Sequence, residues 1–195
     1  MLTQLCQPII HQVLTRVLSA AHFGLEILPI DVEVNVFKKG FPGFTIIGLP
    51  DKSVEEAKER VKTALINSGI DFPDIKIIVN LAPADIPKEG ACFDLPIAIG
   101  ILNSLEVVRV PSEKSFFYGE LSLDGSLRHT KGVFLLALSA KSFTVKNLFV
   151  PKDSSNEAAV VGGVEVYPVQ NLTELVRHLN GVDLITKIQK SALGV

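Results

Sequence analysis

The sequence predicts an α/β or α+β protein in which helices pack on a mixed sheet. Three observations predict it. Val32, Val34 and Val36 alternate with Glu33 and Asn35, the period-two pattern of a strand with one buried face. Residues 53–69 then switch to helical spacing, with Val54, Ala57, Val61, Ala64 and Leu65 on one stripe. Finally, the β-branched run Ile75 to Val79 and the apolar run Leu95 to Leu105 read as a buried strand and a buried helix. The loop between them, punctuated by Pro83, Pro87 and Gly90, is a strand-to-helix turn of the kind that carries chemistry in such folds.

The remaining elements follow in order. Residues 1–12 have little periodicity and read as an extension before a domain spanning 13–181. A strand over Thr15 to His22, a turn at Gly24 and a second strand over Ile30 to Phe37 come first. Lys38-Lys39-Gly40 turns the chain into a third strand, Phe44 to Ile47. Ser53 reads as the N-cap of the first helix, Glu56 completes a capping box, and Gly69 stops it. Its charged residues, among them Glu55, Lys58 and Lys62, read as a solvated face.

After the central strand and the buried helix, Phe116 to Leu123 and Ser126 to Arg128 read as a hairpin around the turn Asp124-Gly125. A helix over Val133 to Lys141, a strand over Leu148 to Val150 and a short helix over Ser154 to Val160 follow. A last strand over Val164 to Val169 leads to a helix over Leu172 to Leu179, capped near Asn171 and stopped at Asn180-Gly181. Residues 182–195 read as a linker or the start of a connection to a further domain.

Composition narrows the function. A net charge of −2 and a pI near 6.1 give no global field for nucleic acid or anionic membrane, so such binding needs a local patch. Cys6 and Cys92 are too few for a disulfide framework and suit a reducing compartment, and they form no metal spacing with the four histidines. The longest apolar runs fall short of the ~20 residues that span a bilayer, and the N-terminus has no basic signal-peptide region. The sequence therefore predicts a cytoplasmic protein without a membrane partner.

Four long stretches carry a resemblance: GFTIIGLPDKSVEEAKERVKTALINSG, NLAPADIPKEGACFDLPIAIGIL, YGELSLDGSLRHTKGVFLLAL and VPKDSSNEAAVVGGVEVYPV. Together they resemble the N-terminal domain of the ComM-type Mg-chelatase-like AAA+ ATPases. The resemblance implies two layers with the core order β-β-β-α-β-α, similar to the protease domain of Lon and to the second domain of a small-subunit ribosomal protein. It also implies a left-handed crossover, against the general rule for such units. The order read from periodicity agrees.

Lon-type proteases pair a serine after an acidic-Gly motif with a lysine base after a later motif. Aligned on Glu89-Gly90 and Lys131-Gly132, this sequence has Cys92 at the serine position and Phe134 at the lysine position. A nucleophile of this kind depends on a neighbouring base, so the resemblance implies a degenerate dyad without catalysis. Cys92 reads as a small half-buried residue, although Lys88 or His129 nearby would lower its pKa and leave a residual hydrolase as the alternative. Asp85, Glu89 and Asp94 suggest an acid cluster, with Asp94 placed to cap the helix after it.

The resemblance further implies a ring-forming parent that uses ATP and Mg2+ and acts on branched DNA during natural transformation. No GxxxxGK[ST] phosphate loop occurs here, so no cofactor is expected in this segment and ATP would belong to a following AAA+ domain. Its expected partners are that domain, other ring subunits and DNA; a purely structural domain packing on its motor is the third possibility. Lys38, Lys39, Arg128, His129 and Lys131 fall at two hairpin tips and are the candidate DNA contacts, placed to meet phosphates rather than bases. No run of aromatics interleaves with this set as single-strand stacking requires.

Overall fold

The longest strands build the centre of the sheet. In a computed structural model, which describes residues 14–37 and 40–188, β1 (Leu14–Phe23) and β2 (Glu26–Phe37) form an antiparallel hairpin with Phe23 opposite Glu26. β3 (Gly43–Ile47) leads through α1 (Lys52–Asn67) to β4 (Lys76–Ala82), which pairs parallel to β3 and antiparallel to β2. A single 3-10 turn, Ala91–Phe93, then opens α2 (Asp94–Ser104). The core order is therefore β-β-β-α-β-α, as the periodicity and the resemblance predict.

The second half extends the same sheet. β5 (Ser115–Phe117), β8 (Asn147–Pro151) and β9 (Glu165–Val169) add parallel strands beyond β1, giving the order β3-β4-β2-β1-β5-β8-β9. Between them, β6 (Glu120–Leu121) and β7 (Leu127–Arg128) make a separate two-stranded hairpin. The expected single strand over Phe116 to Leu123 is thus two short ones. Tyr118 N still donates to Phe149 O, but Gly119 N donates to Cys92 O, and Glu120 N donates to the Thr130 hydroxyl, so the chain leaves the sheet at Gly119.

α3 (Val133–Ala140), α4 (Lys152–Ala159) and α5 (Leu172–Leu179) complete the helices, with Asn171 capping α5 by accepting from Glu174 N. The first helix departs from expectation at its cap. Asp51, not Ser53, accepts from Val54 N at 2.8 Å, because the earlier carboxylate reaches the free amides. Beyond α5, Ile185 is buried and Ile188 N donates to Val166 O on β9; residues 1–13 and 189–195 lie outside the described residues.

One sheet face is dry. Val17, Ile30, Val32, Val34, Val79 and Leu81 are all fully buried, and α2, apolar around nearly its whole circumference, packs on β1 and β2. On the other face Glu33 accepts from Arg16 and Asn80, both at 2.9 Å, tying three strands by polar contacts. The contact of α2 with the sheet requires Gly100, where a Cβ would lie 2.5 Å from Val34 Cγ2. Beside it the Thr15 hydroxyl lies 2.6 Å from that of Ser104, and Thr15 Oγ1 donates to Gly100 O at 3.1 Å.

Gly100→Ala is expected to lower unfolding stability by about 1–3 kcal/mol, the usual cost of overpacking, despite alanine's better helix propensity. Adding Val34→Ala to that variant should cost less than it does in the native chain. Urea unfolding of the two singles and the double measures this, and a Gly100→Ala chain as stable as the native one contradicts the contact.

Candidate functional site

The loop after β4 is held by backbone pairing. Lys88 N donates to Leu49 O at 3.2 Å and Asp51 N to Lys88 O at 2.9 Å, while Asp51 Oδ2 accepts from Gly90 N at 3.2 Å. The residue that caps α1 thus also fixes the Glu89-Gly90 turn. The Lys88 side chain points inward, fully buried, with Nζ donating to Pro83 O. Burial pushes its ammonium below the usual lysine range, partly opposed by Asp85.

The Glu89-Gly90 and Lys131-Gly132 stretches meet, without Phe134. Gly90, Cys92, Lys131 and Gly132 line one cleft of about 410 Å³, together with His22 and Tyr118. Sequence reading missed the last two. Leu18 of β1 lies opposite Phe116 of β5 in the parallel pairing, so both strands deliver aromatic rings to the same sheet end. The rings are 5.8 Å apart in a T-shaped pair. A Cβ on Gly132, whose φ is 86°, would lie 2.2 Å from the His22 ring, so glycine is required at this wall. No local signal marks His22, since only strand pairing brings it across the sequence.

The chemistry of the cleft is muted. Cys92 is 5% exposed, its Sγ lies 3.8 Å from Glu89 O, and burial pushes its thiol up to about 12. It is therefore protonated at neutral pH. Neither Lys88 nor His129 lowers it: Lys88 is turned to Pro83, and His129 Nε2 lies 3.3 Å from Glu157. Tyr118 donates to Lys131 O at 3.1 Å, and burial raises its pKa too. Burial lowers the His22 imidazole, whose Nε2 has no hydrogen-bond partner. Phe134 is 44% exposed on α3.

Asp94 is no helix cap. Its carboxylate is fully buried and accepts from Arg60 twice, Nε to Oδ2 at 2.8 Å and Nη2 to Oδ1 at 3.0 Å, and from Leu121 N at 3.1 Å. Asp85 and Glu89 are exposed, so the expected acid cluster does not form. Among the described residues no group of three or more His, Cys, Asp or Glu is placed to hold a metal.

The basic residues sit at the foot of the β6-β7 hairpin rather than its tip, which is the Asp124-Gly125 turn. Arg128 Nε donates to Ser122 Oγ at 2.7 Å and lies 3.9 Å from Glu120. Lys131 borders the cleft. Lys38 and Lys39 lie outside the described residues.

A family model described as subunit ChlI of Mg-chelatase matches residues 32–154. The chain belongs to this Mg-chelatase-like family. It is 42% identical to competence protein ComM of Haemophilus influenzae over 92% of this chain and 36% of that protein. It is 39% identical to the uncharacterized protein YifB of Escherichia coli over 86% of this chain and 33% of that protein. A weaker similarity, 31% over 52% of this chain and 13% of the relative, is to Lon protease of Malacoplasma penetrans, and it agrees with the fold. The chain spans about a third of the length of the ComM and YifB relatives it matches. None of its described helices is long and apolar enough to cross a membrane.

The buried carboxyl gives a pH signature. Burial, opposed by Arg60, pushes Asp94 up to about 6 when folded, against ~3.9 in an unfolded chain. The stability this group contributes is thus complete below pH ~4 and lost as pH rises through 6. Relative to Asp94→Asn, the native chain should lose stability across that window and run parallel above it. Urea unfolding at half-unit pH steps measures the difference, and a flat difference from pH 4 to 7 contradicts the assignment.

Proposed function

We propose that this chain is a noncatalytic Lon-like domain of a ComM-like AAA+ ATPase, serving ring assembly, DNA contact or both in ATP-dependent processing of branched DNA. The observation that carries the noncatalytic part is the Cys92 thiol, buried and pushed up to about 12 where the Lon-type alignment puts the nucleophile. Phe134, with no titratable group, stands where the base would be. ATP and Mg2+ would act in a separate motor domain and the parent would work in the cytoplasm.

The relative named as a competence protein supports the DNA reading. The exposed basic groups His129 and Lys131 line the cleft and Arg128 lies beside them in sequence, an arrangement suited to phosphate contact. Arg128 and His129 face single carboxylates at the surface, and such pairs contribute only about 0–1 kcal/mol, so phosphates compete for them easily.

Fluorescence anisotropy with a four-way DNA junction across a salt series tests the DNA contact. Changing Lys38, Lys39, Arg128 and Lys131 together to alanine should weaken binding and reduce the log-log salt slope by about one for each phosphate that is no longer neutralised. Unchanged affinity and slope contradict it.

A further inference from the structure

The two edges of the main sheet differ in how they are covered. At the β9 edge the chain covers itself: Glu165 N donates to Lys146 O, so Val166 and Pro168 turn outward, and there Ile188 N donates to Val166 O while Pro168 has no N–H to offer. β3 is the opposite edge. It pairs with β4 on one side, and among the described residues no backbone group pairs with its outer side. Its sequence, GFTII, contains no charge and no proline, the devices that usually keep an edge strand from pairing. Thr45 and Ile47 are exposed on it, and Phe41 just before it in sequence is 92% exposed.

The free edge fixes what can pair with it. Gly43 N donates to Ile75 O at 3.2 Å, which turns residues 43, 45 and 47 toward β4 and leaves the N–H and C=O groups of Phe44 and Ile46 directed outward. An identical strand running antiparallel about a two-fold axis at Thr45 satisfies all of them. Phe44 then exchanges both bonds with the partner's Ile46, and Ile46 does the same with the partner's Phe44. An axis at Phe44 or at Ile46 would use only half of these groups. Thr45 faces the partner's Thr45 as a non-hydrogen-bonded pair, with Cα atoms about 4.5 Å apart, and Thr–Thr is a favourable cross-strand pair. Charge also suits a second copy. Lys58, Lys62, Glu59 and Asp74 line the groove beside β3, so cations and anions balance there and two copies meet without net repulsion.

We propose that β3 is a docking edge for a second copy of this chain, pairing antiparallel with the partner's β3 across Thr45 and running one sheet through both copies. The contact is isologous, the same patch used twice. A ring joins two different patches, so this contact is separate from the ring assembly proposed above and does not rest on it. The strand is only five residues long, so the ladder is short and the dimer forms reversibly with concentration.

The test uses the full 195-residue chain. Sedimentation velocity across ~5–500 μM should show a reversible shift from monomer to dimer. Thr45→Lys sets two like charges face to face at the axis and should raise the dissociation constant at least about tenfold. Its urea midpoint at low concentration should match the native chain, because Thr45 is exposed. In a Cys6→Ser chain, Thr45→Cys should give a disulfide-linked dimer on mild oxidation, since about 4.5 Å lies within the ~4.4–6.8 Å between Cα atoms that a disulfide spans. Leu123→Cys in the same background, at an exposed position beside the Asp124-Gly125 turn, should link far more slowly. A chain that stays monomeric at every concentration overturns the proposal and leaves the edge for a strand of another protein. Self-association that Thr45→Lys does not weaken, with Thr45→Cys linking no faster than Leu123→Cys, overturns it as well and leaves ring assembly standing.

Discussion

Two oxygens of Asp94 hold the molecule's working end together. They accept from Arg60 on α1 and Leu121 N on β6, while the Asp94 backbone begins α2. Next to it Leu95 N donates to Gly119 O, and Gly119 N donates to Cys92 O. One buried carboxylate thus fixes the position of both helices, the hairpin and the residue at the nucleophile position. Removing one partner of such a pair leaves a buried charge uncompensated, which is why the contact shapes the end of the domain rather than merely decorating it.

The cleft behind this junction encloses a thiol that is buried rather than presented. Its walls bring Glu89, Gly90 and Cys92 together with Lys131 and Gly132. Thiol activation, however, requires an electropositive, partly exposed setting. Here the thiol is enclosed and the nearest imidazoles serve other purposes: His22 packs edge-on to Tyr118 and against Gly132, and His129 faces Glu157.

Most of the fold was legible because its signals are local. The alternation of Val32, Val34 and Val36, the stripe from Val54 to Leu65 and the Asp124-Gly125 turn each declare their element without help from the rest of the chain. What was hidden depends on tertiary contacts. Asp94 resembles a cap in sequence, and only the packing of α1 beside α2 brings Arg60 to it. Ser53 resembles a cap as well, but Asp51 reaches the first amides and the Glu89-Gly90 turn at once. His22 and Tyr118 lie 96 positions apart and meet through parallel strand pairing.

The chemical silence of the cleft is the claim on which the functional assignment turns. It is tested most directly by the alkylation rate of Cys92, in a Cys6→Ser chain exposed to iodoacetamide at pH 7.5 and followed by intact mass. A thiol raised to about 12 and 5% exposed predicts labelling at least about 100-fold slower than in the same chain unfolded in urea. Labelling of the folded chain as fast as the unfolded one, or faster, would contradict it and restore Cys92 as an activated nucleophile.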